Sequence, residues 1–279
     1  MDYKIVVDSS CEIPKNLILR ANMEIVPLEI EVGGKRILDD ETLDQRKLLQ
    51  SIADSPTCAK TSCPSPERFL NAYEEPEAKR VYGITLSSAL SGSYNSACLA
   101  KTMFEEEHPE KKIHVFDSRG ASVGEAQLLW KIIELEEKGL SFENIVEKVE
   151  HFRNELKLFF VLDNLETLRK NGRLSNLKAM LASTLNIKPI MAANKEGKIE
   201  QIAQTLGIRK SLQKIAEKVA QVERDSKNRV LISHCNCFER AEKLKELIQE
   251  KVKDAEIFIV EMAGLSSTYS NDGGIIVTV

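Results

Sequence analysis

The chain is predicted to be an α/β protein of two domains, the first a Rossmann-like parallel sheet with helices on both faces and the second α+β. Three observations carry this. Apolar strand-like runs alternate with helix-like stretches over residues 1–140, the pattern of a parallel sheet covered on both sides. A hairpin signal interrupts the later part of the chain at Asn194-Lys195-Glu196-Gly197. The length of 279 residues suits two domains, and the boundary is expected near 150–155, giving residues 1–153 and 154–279.

The elements follow in order. Ile5-Val6-Val7 is a short buried strand ending in Asp8-Ser9-Ser10. Pro14 is expected to open a helix over about 14–21, since proline is tolerated in the first turn. Ile25 to Val32 reads as one strand, Gly33-Gly34 as a turn, and Lys35 to Leu38 as the returning strand. Leu43, Leu48, Leu49 and Ile52 have helical spacing. Arg80 to Leu86 is a strand, 91–106 a helix and Ile113 to Phe116 a strand before Asp117-Ser118. Residues 121–138 are strongly helical, and Ser141 caps another helix.

The second half begins with strand Leu158 to Leu162 and a helix over about 163–170, broken by Asn171-Gly172. A helix over about 176–185 follows, then strands Ile187 to Ala193 and Lys198 to Thr205. Helix 208–223, strand 229–233, helix 237–252 and strand 256–261 lead to a last strand, Ile275 to Val279.

Composition narrows the function. Net charge is −4 and no basic block occurs, which argues against nucleic acid as a partner. Hydrophobic content of 42% and charged content of 29% are ordinary for a globular protein. No apolar run approaches the ~20 residues needed to span a bilayer. The six cysteines are scattered without a CxxC pair, so a cytoplasmic location with reduced thiols is expected. His234, Cys235 and Cys237 lack further evident ligands, and no metal is expected there.

Ligands of parallel sheets sit beyond the carboxyl ends of the strands. Three such ends run into hydroxyls: Asp8-Ser9-Ser10, Ser87-Ser88 and Asp117-Ser118. Two further stretches concentrate hydroxyls. In Lys60-Thr61-Ser62-Cys63-Pro64-Ser65, Pro64 is placed to start a helix. In Leu86 to Ala97, hydroxyls lie between a buried strand and a helix, and Gly92 permits close backbone approach. A helix start offers N–H groups to an anion. Serine and threonine are also ordinary N-caps, so each loop has a purely structural reading. Neither G-x-x-x-x-G-K-[ST] nor G-x-G-x-x-G occurs, which disfavours a nucleotide. A hydrolase or transferase using Ser91 or Cys63 needs a base; His108, His114 and His151 are poorly placed and His234 is the one reasonable choice. A small-molecule sensor is the remaining alternative.

These residues bring a resemblance into view. Thr61-Ser62-Cys63-Pro64-Ser65 resembles the T-S-x-P-S motif of the bacterial DegV family, and Leu86 to Ala97 resembles its L-S-S-x-L-S-G-[ST]-Y-x-S-A motif. Val7-Asp8-Ser9-Ser10 with Pro14, and Leu168 to Ser175, are similar to two further family segments. The resemblance implies a ligand tunnel between two domains and a long-chain fatty acid as ligand. It implies no cofactor and no catalysis by this chain, with a separate fatty acid kinase as partner. Thr61 and Ser91 would bind the carboxylate, and Ser62, Gly92 and Ser93 would shape the pocket. The family often has G-T-H-T-G-P-G near its end; here Ser270 stands where the histidine would be, and Ser270 or Asn271 is the expected substitute. Neutral hydroxyls would satisfy the carboxylate without locking it to a buried arginine. Arg169, Lys170 and Arg173, with Arg209 and Lys210, read either as helix-end charge or as a rim for docking the kinase.

Overall fold

The computed structural model describes residues 2–174, 186–223 and 229–279. Ser175 and the helix expected over 176–185 lie outside the described residues.

The first part contains β1 (Tyr3–Asp8), β2 (Met23–Val26), β3 (Glu29–Val32), β4 (Lys35–Leu38), α1 (Gln45–Asp54), β5 (Lys60–Ser62), α2 (Pro66–Tyr73), β6 (Arg80–Thr85), α3 (Ser93–Glu107), β7 (Lys112–Asp117), α4 (Val123–Glu137) and α5 (Phe142–Glu155). Strands β2, β1, β6 and β7 form a wholly parallel sheet in that order. Every residue of β1 is buried, as a strand covered on both faces requires. A small antiparallel sheet, β4-β3-β5, stands apart from it.

The second part contains β8 (Leu158–Val161), α6 (Glu166–Lys170), β9 (Ile187–Ala193), β10 (Ile199–Leu206), α7 (Ile208–Ala220), β11 (Arg229–His234), α8 (Phe238–Lys251), β12 (Glu256–Glu261), α9 (Gly264–Ser270) and β13 (Ile275–Thr278). Its mixed sheet runs β10-β9-β8-β13-β11-β12. The C-terminal strand β13 is inserted antiparallel between β8 and β11.

Helix α4 joins the two sheets. Twelve of its fifteen residues are buried, Glu125, Gln127 and Glu136 among them, so the helix is enclosed on more than one face and lies in the interior. Leu128, Ile132 and Ile133 share one core with Ile5 and Tyr82 of the first sheet and with Leu231 of the second. Trp130 packs on Phe258 with ring centroids 4.7 Å apart.

Four expectations are corrected. Residues 15–20 form turns and no α-helix; the Leu17 amide donates to the Pro14 carbonyl and the Arg20 amide to that of Leu17. Only Leu17 of that stretch's leucines is buried, while Leu19 is 91% exposed, so a helix would gain little from packing. The single strand over 25–32 is two strands, because Pro27 has no N–H for a ladder and the chain changes sheet there. Pro64 does not start a helix: α2 begins at Pro66, with Ser65 as N-cap accepting from the Arg68 amide. Finally, α9 lies where no helix was expected; its sequence GLSSTYS has no apolar periodicity to announce it.

Candidate functional site

A cavity of about 300 Å³ opens between the two sheets. Its apolar lining includes Leu28, Leu86 and Leu90 from the first part and Leu158, Phe160, Leu162 and Ile276 from the second. The polar lining includes Thr61, Ser62, Ser91, Arg173, Tyr269 and Ser270, beside the Cys63 thiol. Such a space is made for a mostly apolar ligand with a few polar atoms.

Thr61 is held by β5, which pairs with β3 so that Thr61 lies opposite Ile30. Its Oγ1 is 2.8 Å from the Tyr269 hydroxyl on α9. The guanidinium of Arg173 lies over the Tyr269 ring, 5.9 Å from its centroid, and its Nε donates to the Leu90 carbonyl at 3.2 Å. Leu90 precedes Ser91, whose Oγ accepts from the Ser93 amide at 3.2 Å. A Cβ on Gly92 would lie 2.9 Å from the Cys63 sulfur, so glycine is what lets the thiol sit against the start of α3. These contacts gather the polar side chains of β5, the loop before α3, the segment after α6 and α9 into one place.

The residues singled out in the sequence are distributed as follows. Thr61, Ser62, Ser91, Gly92 and Ser270 line the cavity. Ser93 is fully buried behind it, its hydroxyl 3.1 Å from that of Ser91. Asn271 lies outside the cavity lining, its Nδ2 donating weakly to Thr167 Oγ1 at 3.4 Å. Of the three arginines, Arg173 lines the cavity, Arg169 forms an exposed pair with Glu166 at 2.7 Å, and Arg209 is exposed in the first turn of α7. A wholly uncharged polar lining is therefore not what is found. Tyr269 and Arg173 complete the polar group; nothing local in the sequence marks Tyr269, and Arg173 reads there as helix-end charge or as a docking rim, whereas it lines the cavity.

No histidine or carboxylate is among the described residues lining the cavity. His234 is the last residue of β11 and lies in a separate depression with Phe238 and Arg240, and burial holds its imidazole below the ordinary range. Its Nδ1 accepts weakly from the Cys237 amide at 3.4 Å. Among the described residues, one trio, Glu74, Glu107 and His108, has potential metal-ligand atoms within 4.8 Å of one another. It is not part of the cavity. No helix among the described residues is long and apolar enough to cross a membrane.

Below the cavity lies a second polar group, of buried acids. Asp8, Glu12, Asp39 and Glu125 are all nearly inaccessible. Burial raises the carboxyl of Asp8 to about 6 and that of Glu12 to about 8, and lifts those of Asp39 and Glu125 above the usual carboxylate range.

Comparison with known proteins agrees along the whole chain. The family model described as "Uncharacterised protein, DegV family" matches residues 2–278. A DegV domain-containing protein of Streptococcus gordonii is 35% identical over 279 residues, covering 99% of this chain and 98% of that one. The crystal structure of a DegV family protein from Ruminococcus gnavus, refined with vaccenic acid, is 47% identical with a TM-score of 0.95 over 100% of both chains. The fatty acid kinase B3 protein of Streptococcus pneumoniae, loaded with linoleic acid, is 34% identical with a TM-score of 0.91, covering 100% of this chain and 99% of that one. The chain belongs to the DegV family.

Proposed function

We propose that this protein binds a long-chain fatty acid in the cavity between its two sheets and presents the carboxylate to a separate fatty acid kinase. The observation that carries this is an apolar cavity whose polar lining brings together Thr61, Ser91, Tyr269 and Arg173. Relatives holding vaccenic and linoleic acid, one of them a fatty acid kinase B3 protein, support the reading.

The energetics fit. Burying some fifteen methylenes is worth roughly 12 kcal/mol gross at about 0.8 kcal/mol each, of which association costs remove a large part. The tail thus dominates affinity, and the head group needs only satisfied oxygens. Thr61 and Ser91 donate to the carboxylate, and Arg173 offsets its charge. In this reading residues 1–153 carry the hydroxyl loops. Residues 154–279 cover the acyl chain and add Arg173 and Tyr269. Ser62, Gly92 and Ser270 shape the pocket around the head group.

The protein itself is read as a carrier with no catalytic group or cofactor. A nucleophilic Ser91 or Cys63 needs a base within hydrogen-bond reach, and the described residues of the lining include neither a histidine nor a carboxylate. Arg169 and Arg209 are the exposed cations assigned to kinase docking. A cytoplasmic location completes the reading, and all six cysteines are free thiols.

Organic extraction of the purified protein followed by mass spectrometry tests the lipid. A co-purified C14–C18 acid is expected, depleted in Thr61→Ala and Ser91→Ala proteins. A polar metabolite in its place, or ester turnover abolished by Ser91→Ala, rejects the carrier. Arg209→Glu tests the kinase role separately: acyl phosphate formation should weaken while lipid content stays the same.

A further inference from the structure

The buried acids below the cavity have no part in holding a carboxylate, yet they hold the element that does. Helix α9 contributes Leu265, Ser266, Tyr269 and Ser270 to the cavity wall. Its entry is fixed by two of the acids. The Gly264 and Leu265 amides donate to Asp39 at 2.7 and 2.9 Å. The Ala263 amide donates to Glu12 Oε1 at 3.2 Å. Asp39 also accepts from the Ser9 hydroxyl at 2.8 Å, so it ties α9 to the end of β1.

Glu12 stands among like groups. The Ser122 and Ser266 hydroxyls lie against its carboxyl, and Oε2 makes no full hydrogen bond among the described residues. Cys11 in the loop after β1, Glu125 on α4 and Asp39 before α1 are the titratable groups that face it, and Asp8 at the end of β1 faces Glu125 and Cys11 in turn. Asp40 adds a further negative charge next to Asp39. Glu125 accepts from Ser10 and stands against the Asp8 carboxyl, and its Oε2 makes no full hydrogen bond among the described residues. The charges pressing on Glu12 and Glu125 are other carboxyls. Packed this way, they cannot all ionise together.

We propose that Glu12 and its neighbouring acids position α9 in the cavity wall only while Glu12 keeps its proton, so that ionisation of Glu12 loosens the grip on the bound fatty acid. The proposal rests on the fatty-acid reading. A neutral Glu12 accepts from Ala263 without repelling Asp39. An ionised Glu12 puts a negative charge beside the Asp39 carboxyl at the entry of α9, where that carboxyl accepts from the Gly264 and Leu265 amides. The relief available is movement of that short helix, which carries Tyr269 away from Thr61.

The sign follows from burial. Glu12 is pushed up to about 8 from an ordinary value of 4.5, so at pH 7 it is mainly neutral and at pH 9 mainly ionised. Between those values its ionised fraction rises roughly tenfold.

The test is the dissociation rate of cis-parinaric acid, a fluorescent C18 fatty acid, from the full chain at pH 7 and pH 9. The rate should rise by up to about tenfold in the native protein and stay flat in Glu12→Gln, where the amide mimics the protonated acid. A native rate independent of pH, or a Glu12→Gln rate that keeps the native pH dependence, overturns the proposal. If the probe does not bind at either pH, the fatty-acid reading itself fails. Should Glu12→Gln not fold, amide exchange in the native protein decides. Protection at Ala263, Gly264 and Leu265 should drop between pH 7 and 9 relative to β1, and an equal change in both overturns the idea.

Discussion

The Thr61 and Tyr269 hydroxyls lie 2.8 Å apart, although they come from opposite ends of the chain. Thr61 is fixed by a three-residue strand and Tyr269 by a seven-residue helix, so this contact fastens the first part of the protein to the last at the polar end of the site. Tyr269→Phe removes the contact while keeping the ring over which Arg173 lies. Fatty-acid affinity should fall by about 1 kcal/mol, roughly fivefold in Kd. Thr61→Ala should cost more, since it also removes a carboxylate donor. In the double variant the two losses should be less than additive; strict additivity in titrations with a fluorescent fatty acid rejects the coupling.

Arg173 is the one cation among the described residues lining the cavity. Its Nε is already engaged with the Leu90 carbonyl, so the side chain is held in place before ligand arrives. Charge-assisted hydrogen bonds to a carboxylate are worth about 1.5–3 kcal/mol. Arg173→Gln should therefore weaken binding of a fatty acid by about tenfold or more. A fatty alcohol of the same length should lose much less. Equal losses for both ligands mean that Arg173 merely supports the loop.

Cys63 is the exposed cysteine of the six and borders the cavity beside Gly92. A bound carboxylate at Ser91 and Thr61 would cover it. Alkylation of Cys63 by N-ethylmaleimide, followed by mass spectrometry, should be several-fold slower in lipid-loaded than in delipidated protein. Buried Cys11 and Cys235 should be unreactive in both. Identical rates at Cys63 place the ligand elsewhere.

Much of the fold was legible because its signals are local. Ile5-Val6-Val7 announces a strand buried on both faces, and Asn194 to Gly197 announces a hairpin. There the Asn194 side chain accepts from the Glu196 and Lys198 amides, both at 3.0 Å. The hydroxyl loops were legible by composition. What stayed hidden depends on distant partners. Strand β5 exists because β3 pairs with it, and three residues have no periodicity. Helix α9 is fixed by Asp39, more than 200 residues earlier in sequence. Arg173 looked like helix-end charge, since nothing local says that it lies over Tyr269.

Gly197 closes the β9–β10 hairpin against the first part of the protein. Its φ is +75°, and an added Cβ would come within 2.2 Å of Ser87 Oγ and 2.9 Å of the Arg119 Cα. Its carbonyl accepts from Ser87 Oγ at 2.8 Å. Gly197→Ala combines left-handed backbone strain with a clash against backbone, so it should cost about 2 kcal/mol or more. Calorimetry should show a Tm several degrees lower, and fatty-acid binding should weaken because Gly197 lines the cavity. The exposed turn glycine Gly34, whose Cβ would meet nothing within 4 Å, has φ of +81° and so shares the strain without the clash. Gly34→Ala should therefore cost less. Equal costs for the two substitutions reject the packing argument.

The buried acids also set how stability depends on pH. Asp8 at about 6 and Glu12 at about 8 both lie above their ordinary values of 3.8 and 4.5. In each case desolvation is the main cause. The folded chain therefore binds more protons than the unfolded chain over this window, and stability falls as pH rises. The contribution is fully present below about pH 4 and is lost as pH rises through about 6 for Asp8 and about 8 for Glu12. Thermal unfolding should give a Tm that declines from about pH 4 to about pH 8 and then levels off. Glu12→Gln should flatten the decline between about pH 5 and 8, and Asp8→Asn the part between about pH 4 and 6. Asp8 also accepts from the Leu86 and Ser10 amides, so Asp8→Asn should lower Tm at every pH while still flattening that segment. A Tm that rises from pH 5 to 9 means that these carboxyls reach solvent and titrate normally.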